Sequence, residues 1–347
     1  MIERAMLGTA ALGRALDAGA NPLDGQARVD GLRVRLGAPA VPPAQRCAIV
    51  EPLWTGIRCI DAVLTIGRGA RIGLFGAPGA GKSTLLEAIV RGTCADAVVV
   101  GLIGERGREA QRWIAARNER TTVICATGDR PASERIRAAE VFIAQAQALA
   151  SRGLHVLAVL DSFARYANAL REVGVALGES VGRGGYPPSI FTANAQLVER
   201  AGAFACGSIT MIVTVLNDGD DHDPVSENAR SLLDGHVQLS PRLAQAGRFP
   251  AIDVLASTSR TMDAVVTPEH RRDAARVRAA LDLLARCEDG RALGIEPADP
   301  ATVAAIAAEP ALEALLRQGH ERAAPIRTLE ALRQTADMLE VAHGHQY

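Results

Sequence analysis

Lys82 is the only lysine in a chain whose other basic side chains are all arginine. It stands in Gly76-Ala77-Pro78-Gly79-Ala80-Gly81-Lys82-Ser83, which fits the phosphate-binding pattern G-x-x-x-x-G-K-[ST]. In a chain this rich in Ala and Arg, lysine drifts to arginine wherever charge alone matters. One position keeps a compact ammonium that can reach between phosphate oxygens, where a broad planar guanidinium is a poor substitute. The loop amides and the positive end of the following helix would face a polyphosphate. In this pattern Lys82 contacts the β- and γ-phosphates and the Ser83 hydroxyl ligates Mg²⁺, with Thr84 next in the nucleotide-binding stretch. Those groups bind a nucleotide; hydrolysing it needs more. The apolar run 154–160 closes on Asp161, the arrangement in which a carboxylate holds Mg²⁺, often through water. Asp161-Ser162 also precedes a helical stretch, so a helix cap is the plainer reading, and the two are compatible. The run 97–103 leads into Glu105, a carboxylate placed to orient the attacking water, or one member of a solvated Arg/Glu cluster. Arg260 closes the segment 251–260 and could stabilise transition-state charge, although most arginines in such a chain are solvated. Asp218, Asp220, Asp221 and Asp223 around His222 read as a polar loop more readily than as a metal site.

The elements that must position these groups follow from periodicity. Arg71–Gly76 is a short apolar strand running into the glycine loop, and Leu85, Leu86, Ile89 and Val90 after it have helical spacing. The runs 97–103, 154–160 and 209–216 are rich in Val, Ile and Leu without polar alternation, as in strands buried on both faces of a parallel sheet. Stretches 108–117, 134–150 and 162–177 read as crossover helices. The alternation predicts an open, doubly wound α/β domain whose ligands lie beyond the carboxyl ends of the strands. Segments 270–286, 301–308, 311–318 and 326–339 predict a C-terminal helical domain. Residues 12–17 read as a short strand before a turn at 21–25, and 37–46, with three prolines, as an extended connector.

With 347 residues and a net charge of −1, the chain has room for about two domains and no global field that would recruit nucleic acid or an anionic membrane. Aromatics at 3% do not supply a base-stacking surface for single strands. The six cysteines are scattered without a C-x-x-C pair, which suits a reducing cytosol. No signal peptide and no run long enough to span a bilayer is evident. Any membrane association would go through partners.

Several further stretches occur in one order. They are Glu51-Pro52-Leu53-Trp54-Thr55-Gly56-Ile57-Arg58-Cys59-Ile60-Asp61, Gly101-Leu102-Ile103-Gly104-Glu105-Arg106-Gly107-Arg108-Glu109 and Leu160-Asp161-Ser162-Phe163-Ala164-Arg165-Tyr166-Ala167. Gly185-Tyr186-Pro187-Pro188-Ser189, Ser231-Leu232-Leu233-Asp234-Gly235-His236 and Phe249-Pro250-Ala251-Ile252-Asp253 through Ser259-Arg260 follow. Through them nearly the whole chain resembles the ATPases that energise type III secretion, relatives of the flagellar export ATPase and of the catalytic subunits of F- and V-type rotary ATPases. The resemblance implies a RecA-like P-loop NTPase core with a mostly parallel, doubly wound sheet, followed by a C-terminal helical domain. It implies ATP and Mg²⁺ as ligands. Glu105 matches the catalytic glutamate, with Arg106 beside it. Asp161 matches the Walker B aspartate, Arg165 an arginine near the terminal phosphate, and Arg260 an arginine finger that reaches into a neighbour's site. Phe249 falls where an aromatic lies against adenine. The implied partners are five further copies in a homo-hexamer of the full-length form, a central stalk, peripheral stator and regulator proteins, and chaperone–effector complexes. The implied place is cytoplasmic, peripheral to the inner membrane at the base of the secretion apparatus.

Two departures qualify the resemblance. The family carries an N-terminal β-barrel that forms the crown of the hexamer, and the match here begins just after it. The expectation is therefore a shortened chain, with 1–46 a remnant and linker, 47–262 the ATPase domain and 263–347 the helical domain. Glu179-Ser180-Val181-Gly182-Arg183-Gly184 also departs from the family's more Pro/Thr-rich loop. Three rival readings stand beside export of secreted effectors. They are a flagellar export ATPase, a non-catalytic nucleotide-binding subunit of a rotary ATPase, and a hexameric nucleic-acid translocase. Glu105 counts against the second, and the charge and aromatic content count against the third.

Overall fold

A computed structural model describes residues 3–216, 223–319 and 321–341. The chain forms two compact units. The first comprises Met1–Ile49, Arg68–Pro78 and Ala95–His236, and the second Val50–Gly67, Gly79–Cys94 and Val237–Tyr347. These units do not follow the boundaries at 46 and 262 drawn on the sequence.

Six parallel strands make the body of the first unit: β1 (Ala15–Leu16), β2 (Arg71–Gly76), β3 (Ala97–Ile103), β4 (Thr121–Ala126), β5 (His155–Asp161) and β6 (Gly207–Leu216). Their order in the sheet is β2-β6-β5-β3-β4-β1, and each neighbouring pair is parallel. The short strand Gly202–Phe204 pairs antiparallel with β6. β3, β4 and β5 are buried at every position, as expected where both faces of a sheet are covered. The helix Ala132–Ala150 packs on β3, β4 and β5, and Phe163–Ala176 packs on that helix and on β6. Leu16, Phe75, Val99, Phe142, Leu160, Phe163 and Met211 belong to one apolar core.

The N-terminal segment is tied into this sheet. β1 lies alongside β4, with Ala15 opposite Val123. Arg4–Leu7 pairs antiparallel with Leu32–Arg35. Gln145, fully buried in the middle of its helix, accepts from Gly8 N at 2.7 Å and donates to Gly8 O at 3.0 Å. A buried amide that meets both backbone groups of one residue is a strong local anchor, because neither group can return to water without cost.

In the second unit the helix Lys82–Gly92 and the strand Ile252–Ser259 keep company with the C-terminal helices Pro268–Ala292, Pro300–Ala307, Glu309–Leu316 and Pro325–Val341. The first two of these four helices begin with Pro after a capping residue: Thr267 accepts from His270 N and Asp299 from Thr302 N. The reason residues 50–67 join this group is visible in specific bonds. His270 Nε2 lies 2.8 Å from Ala62 O, and the amide of Gln318 reaches Gly56 and Arg58. No helix among the described residues is long and apolar enough to cross a membrane. The tail His343–Tyr347 and Asp218, Asp220, Asp221 and His222 of the acidic loop lie outside the described residues. Asp223 caps the helix Pro224–Leu232, accepting from Ser226 N at 2.8 Å.

Candidate active site

The phosphate loop takes the conformation its sequence requires. β2 ends at Gly76 and the helix begins at Lys82. Gly81, at φ +93°, is the N-cap, and no side chain caps the helix. Nothing lies within 4 Å of where a Cβ on Gly81 would sit, so the demand for glycine is conformational and not one of room. The first-turn amides of such a helix form an anion site. Lys82 and Ser83 are half-buried there, and Pro78, Gly79 and Thr84 are exposed. The chain passes from the first unit to the second inside this loop, between Pro78 and Gly79.

In the first unit, register brings the candidate carboxylates to one sheet edge. Gly76 pairs with Leu216 of β6, Leu160 with Val213, and Asp161 with Leu102 of β3. Asp161 closes β5 and is 7% exposed, with Oδ1 accepting from Thr214 Oγ1 at 2.6 Å. The cap of the following helix is Ser162, which accepts from Arg165 N, so Asp161 is not spent on capping. The Asp161–Ser162 peptide is cis.

Glu105 follows β3 and is 6% exposed, while Arg106, Gly107 and Arg108 beside it are exposed. The stretch is therefore not a uniformly solvated cluster. Glu105 Oε1 lies 2.8 Å from Arg165 Nε, and Arg165 Nη1 donates to Gly104 O at 2.8 Å. Gly104, at φ +74°, lies under the arginine stem: a Cβ there would stand 3.1 Å from Arg165 Cβ and 3.2 Å from its Cδ. Burial raises the Glu105 carboxyl to about 7, with Asp161 and Glu109 adding to the rise and Arg165 opposing it. Arg106 is the N-cap residue of the helix Gly107–Ala116 and points no bond of its side chain at that cap.

In the second unit a cavity of about 570 Å³ opens beside the phosphate-loop helix. Ala80, Gly81, Thr84 and Leu85 line it on one side, and Leu239, Phe249 and Gln318 on others. Phe249 is 50% exposed and its peptide with Pro250 is cis. An aromatic side chain lining a mostly apolar pocket next to a phosphate loop suits a nucleotide base. Arg260 sits in the turn after the strand Ile252–Ser259 and is exposed. Sequence reasoning singled out neither Thr214 nor Gln318. A Thr inside an apolar run, one of two there with Thr210, was the available signal for Thr214. A Gln before Gly at a helix end gave none for Gln318.

The residues that the sequence nominates as metal donors are the Ser83 hydroxyl, in the second unit, and the Asp161 carboxylate, in the first. Among the described residues no group of three or more His, Cys, Asp or Glu could hold an ion. A sparse set of hard oxygen donors fits Mg²⁺, which keeps several waters and shares phosphate oxygens of its substrate. When bound, Mg²⁺ would neutralise charge on the β- and γ-phosphates.

The nucleotide-binding domain of the ATP synthase alpha/beta family matches residues 56–259. The chain belongs to this family. A flagellum-specific ATP synthase of Salmonella typhimurium is 46% identical over 341 residues, 94% of this chain and 74% of that protein. A type 3 secretion system ATPase of Sinorhizobium fredii is 44% identical over 324 residues, 91% of this chain and 72% of that protein. Among solved structures, the assembled ATPase EscN from the type III secretion system of enteropathogenic E. coli superposes with a TM-score of 0.92. It is 38% identical, over 96% of this chain and 83% of that one. EscN has also been solved in complex with its central stalk EscO, with a TM-score of 0.90.

Proposed function

We propose that the chain hydrolyses ATP with Mg²⁺ as one subunit of a ring, and that the hydrolysis drives type III protein export. The loop amides and Lys82 hold the phosphates, Ser83 and Asp161 hold the metal, and Phe249 takes the base. Glu105 orients the attacking water, Arg165 stands by the terminal phosphate, and Arg260 acts on the site of a neighbouring subunit. The observation that carries the reading is Glu105 itself: a buried carboxylate at the strand edge that also presents Asp161, held by an arginine 2.8 Å away. A non-catalytic nucleotide-binding subunit has no use for that arrangement. The assembled state and stalk complex of EscN support a homo-hexamer that engages a central stalk. Stator and regulator proteins, chaperone–effector complexes and a place at the cytoplasmic base of the apparatus belong to the same proposal. A flagellar role is the second reading, favoured by the Salmonella relative. The test is ATPase rate against protein concentration for the native chain, Glu105→Gln and Arg260→Ala. Specific activity should rise with concentration and be lost in both variants. Full activity of Arg260→Ala at high concentration would remove the neighbouring-subunit role, and an active Glu105→Gln would remove the water-orienting one.

A further inference from the structure

We infer that Gln318 is a positioning residue for the nucleotide base, fixing the cavity wall that carries Phe249 while keeping no N–H free to donate to the base. The inference rests on the reading that this cavity takes the base.

Gln318 lines the cavity and is 9% exposed. Its Oε1 accepts from Arg58 N at 2.7 Å, and its Nε2 donates to Gly56 O at 2.8 Å and to Glu321 O at 2.5 Å. A side-chain amide has two N–H donors, and both are used. Its backbone N–H donates to Phe249 O at 2.8 Å. One residue therefore holds the turn at 56–58, the segment after the helix Glu309–Leu316, and the backbone of the aromatic.

The turn at Gly56 is pinned from its other side as well. Asp61 Oδ2 accepts from Gly56 N at 2.9 Å, and Oδ1 accepts from Thr55 N and Thr55 Oγ1 at 2.9 and 2.7 Å. Gly56, at φ +78°, abuts the far end of the phosphate-loop helix, where an added Cβ would stand 3.0 Å from Gly92 Cα. Asp61 takes the N–H of Gly56 and Gln318 takes its C=O, so the turn has no slack. Phe249 is half exposed, and a ring in that position owes its placement to its backbone. Losing the Gln318 amide leaves Gly56 O and Arg58 N without their partner and frees the segment that holds Phe249.

The test compares binding of ATP and of inorganic triphosphate, each with Mg²⁺, by calorimetry. The proteins are the native chain, Gln318→Ala, Gln318→Glu, Phe249→Ala and the Gln318→Ala/Phe249→Ala double variant. Gln318→Ala should weaken ATP about tenfold and triphosphate less than about twofold. Gln318→Glu keeps the acceptor for Arg58 N but sets a carboxylate against two carbonyls, so it should not rescue. The double variant should bind ATP within about twofold of Phe249→Ala, because the two residues act as one unit. Retained triphosphate binding reports a folded phosphate loop. Equal losses on both ligands, or additive losses in the double variant, would overturn the inference. Native protein that binds ATP no tighter than triphosphate would remove the base cavity itself.

Discussion

Replacing Arg165 by alanine should displace the pH dependence of ATP hydrolysis and not merely scale it down. Burial, Asp161 and Glu109 push the Glu105 carboxyl up to about 7, and Arg165 opposes them. A carboxylate that orients water must be ionised, so kcat/KM of the native protein should climb with pH and level off above about 7. The ion pair that opposes the rise is 2.8 Å long, with side-chain exposures of 8% for Glu105 and 38% for Arg165. A hydrogen bond to a charged group contributes about 1.5–3 kcal/mol, and solvent around Arg165 places this one at the lower end. At about 1.4 kcal/mol per unit, the midpoint of Arg165→Ala should move up by about one pH unit. Relative to the native protein, the variant should then be about fivefold worse at pH 7 than at pH 9. A lost phosphate contact would reduce the rate at every pH and leave the two profiles parallel. Parallel profiles between pH 6 and 9 would therefore refute the coupling of Arg165 to Glu105. Arg165→Lys, which keeps a cation, should recover most of the native midpoint. The same shift has a stability counterpart of known sign. Between the ordinary carboxyl range and about 7, the native state binds more protons at Glu105 than the unfolded state does. Stability of the nucleotide-free protein should fall as pH rises through that window, and Glu105→Gln should flatten the slope in urea titrations.

Two more expectations come from other parts of the molecule. The cavity proposed for the base is lined mostly by apolar side chains, with Thr84 and Arg317 among the polar ones, and both N–H groups of the Gln318 amide are given to backbone carbonyls. GTP should therefore be hydrolysed with kcat/KM no more than roughly 10- to 100-fold below ATP, and a deficit above about 10⁴ would reveal a polar reader of the base. Asp24 accepts from Arg14 Nε at 2.8 Å, Arg14 Nη2 at 3.1 Å and Ala15 N at 3.0 Å, and Arg14 holds its carboxyl well below the usual range. Asp24→Asn should cost about 3 kcal/mol in denaturant unfolding at pH 7. The native pair's contribution is present above the unfolded carboxyl's pKa and is lost as pH falls toward the folded one, so the variant's deficit should shrink in acid.

What was legible in the sequence, and what was not, divides by the distance along the chain over which a residue is constrained. The phosphate loop is readable because its demands are local: Gly81 must adopt φ +93°, and Lys82 and Ser83 follow it directly. β3, β5 and β6 announce themselves by long runs rich in Val, Ile and Leu. β4 does not, because Thr121-Thr122 opens it with two hydroxyls. Both are buried, and each hydroxyl has a partner, Asn118 Oδ1 at 2.7 Å and Ala11 O at 2.8 Å. A buried polar residue makes sense only once its partner is known, and the partner of Thr122 is 111 positions away. Gln145 with Gly8, Thr214 with Asp161 and Gln318 with Gly56 are the same case, at separations of 137, 53 and 262.

Glu105 shows how the two kinds of constraint meet. Its place just after a buried strand could be read from spacing, but a solvated cluster of charges fits that spacing equally well. What separates the two is Arg165, 60 residues on in the helix Phe163–Ala176, whose stem lies over Gly104 and whose guanidinium closes on the carboxylate. Gly104 is needed there for two reasons at once, a left-handed backbone and room for that stem. Neither is apparent until the helix Phe163–Ala176 is in place. That helix is placed by β5, the strand that also delivers Asp161. The second carboxylate and the arginine that holds the first are thus set by one strand-to-helix junction. A change that shifts this junction should disturb Glu105 and Asp161 together, whereas a change confined to the stretch after β3 should disturb Glu105 alone.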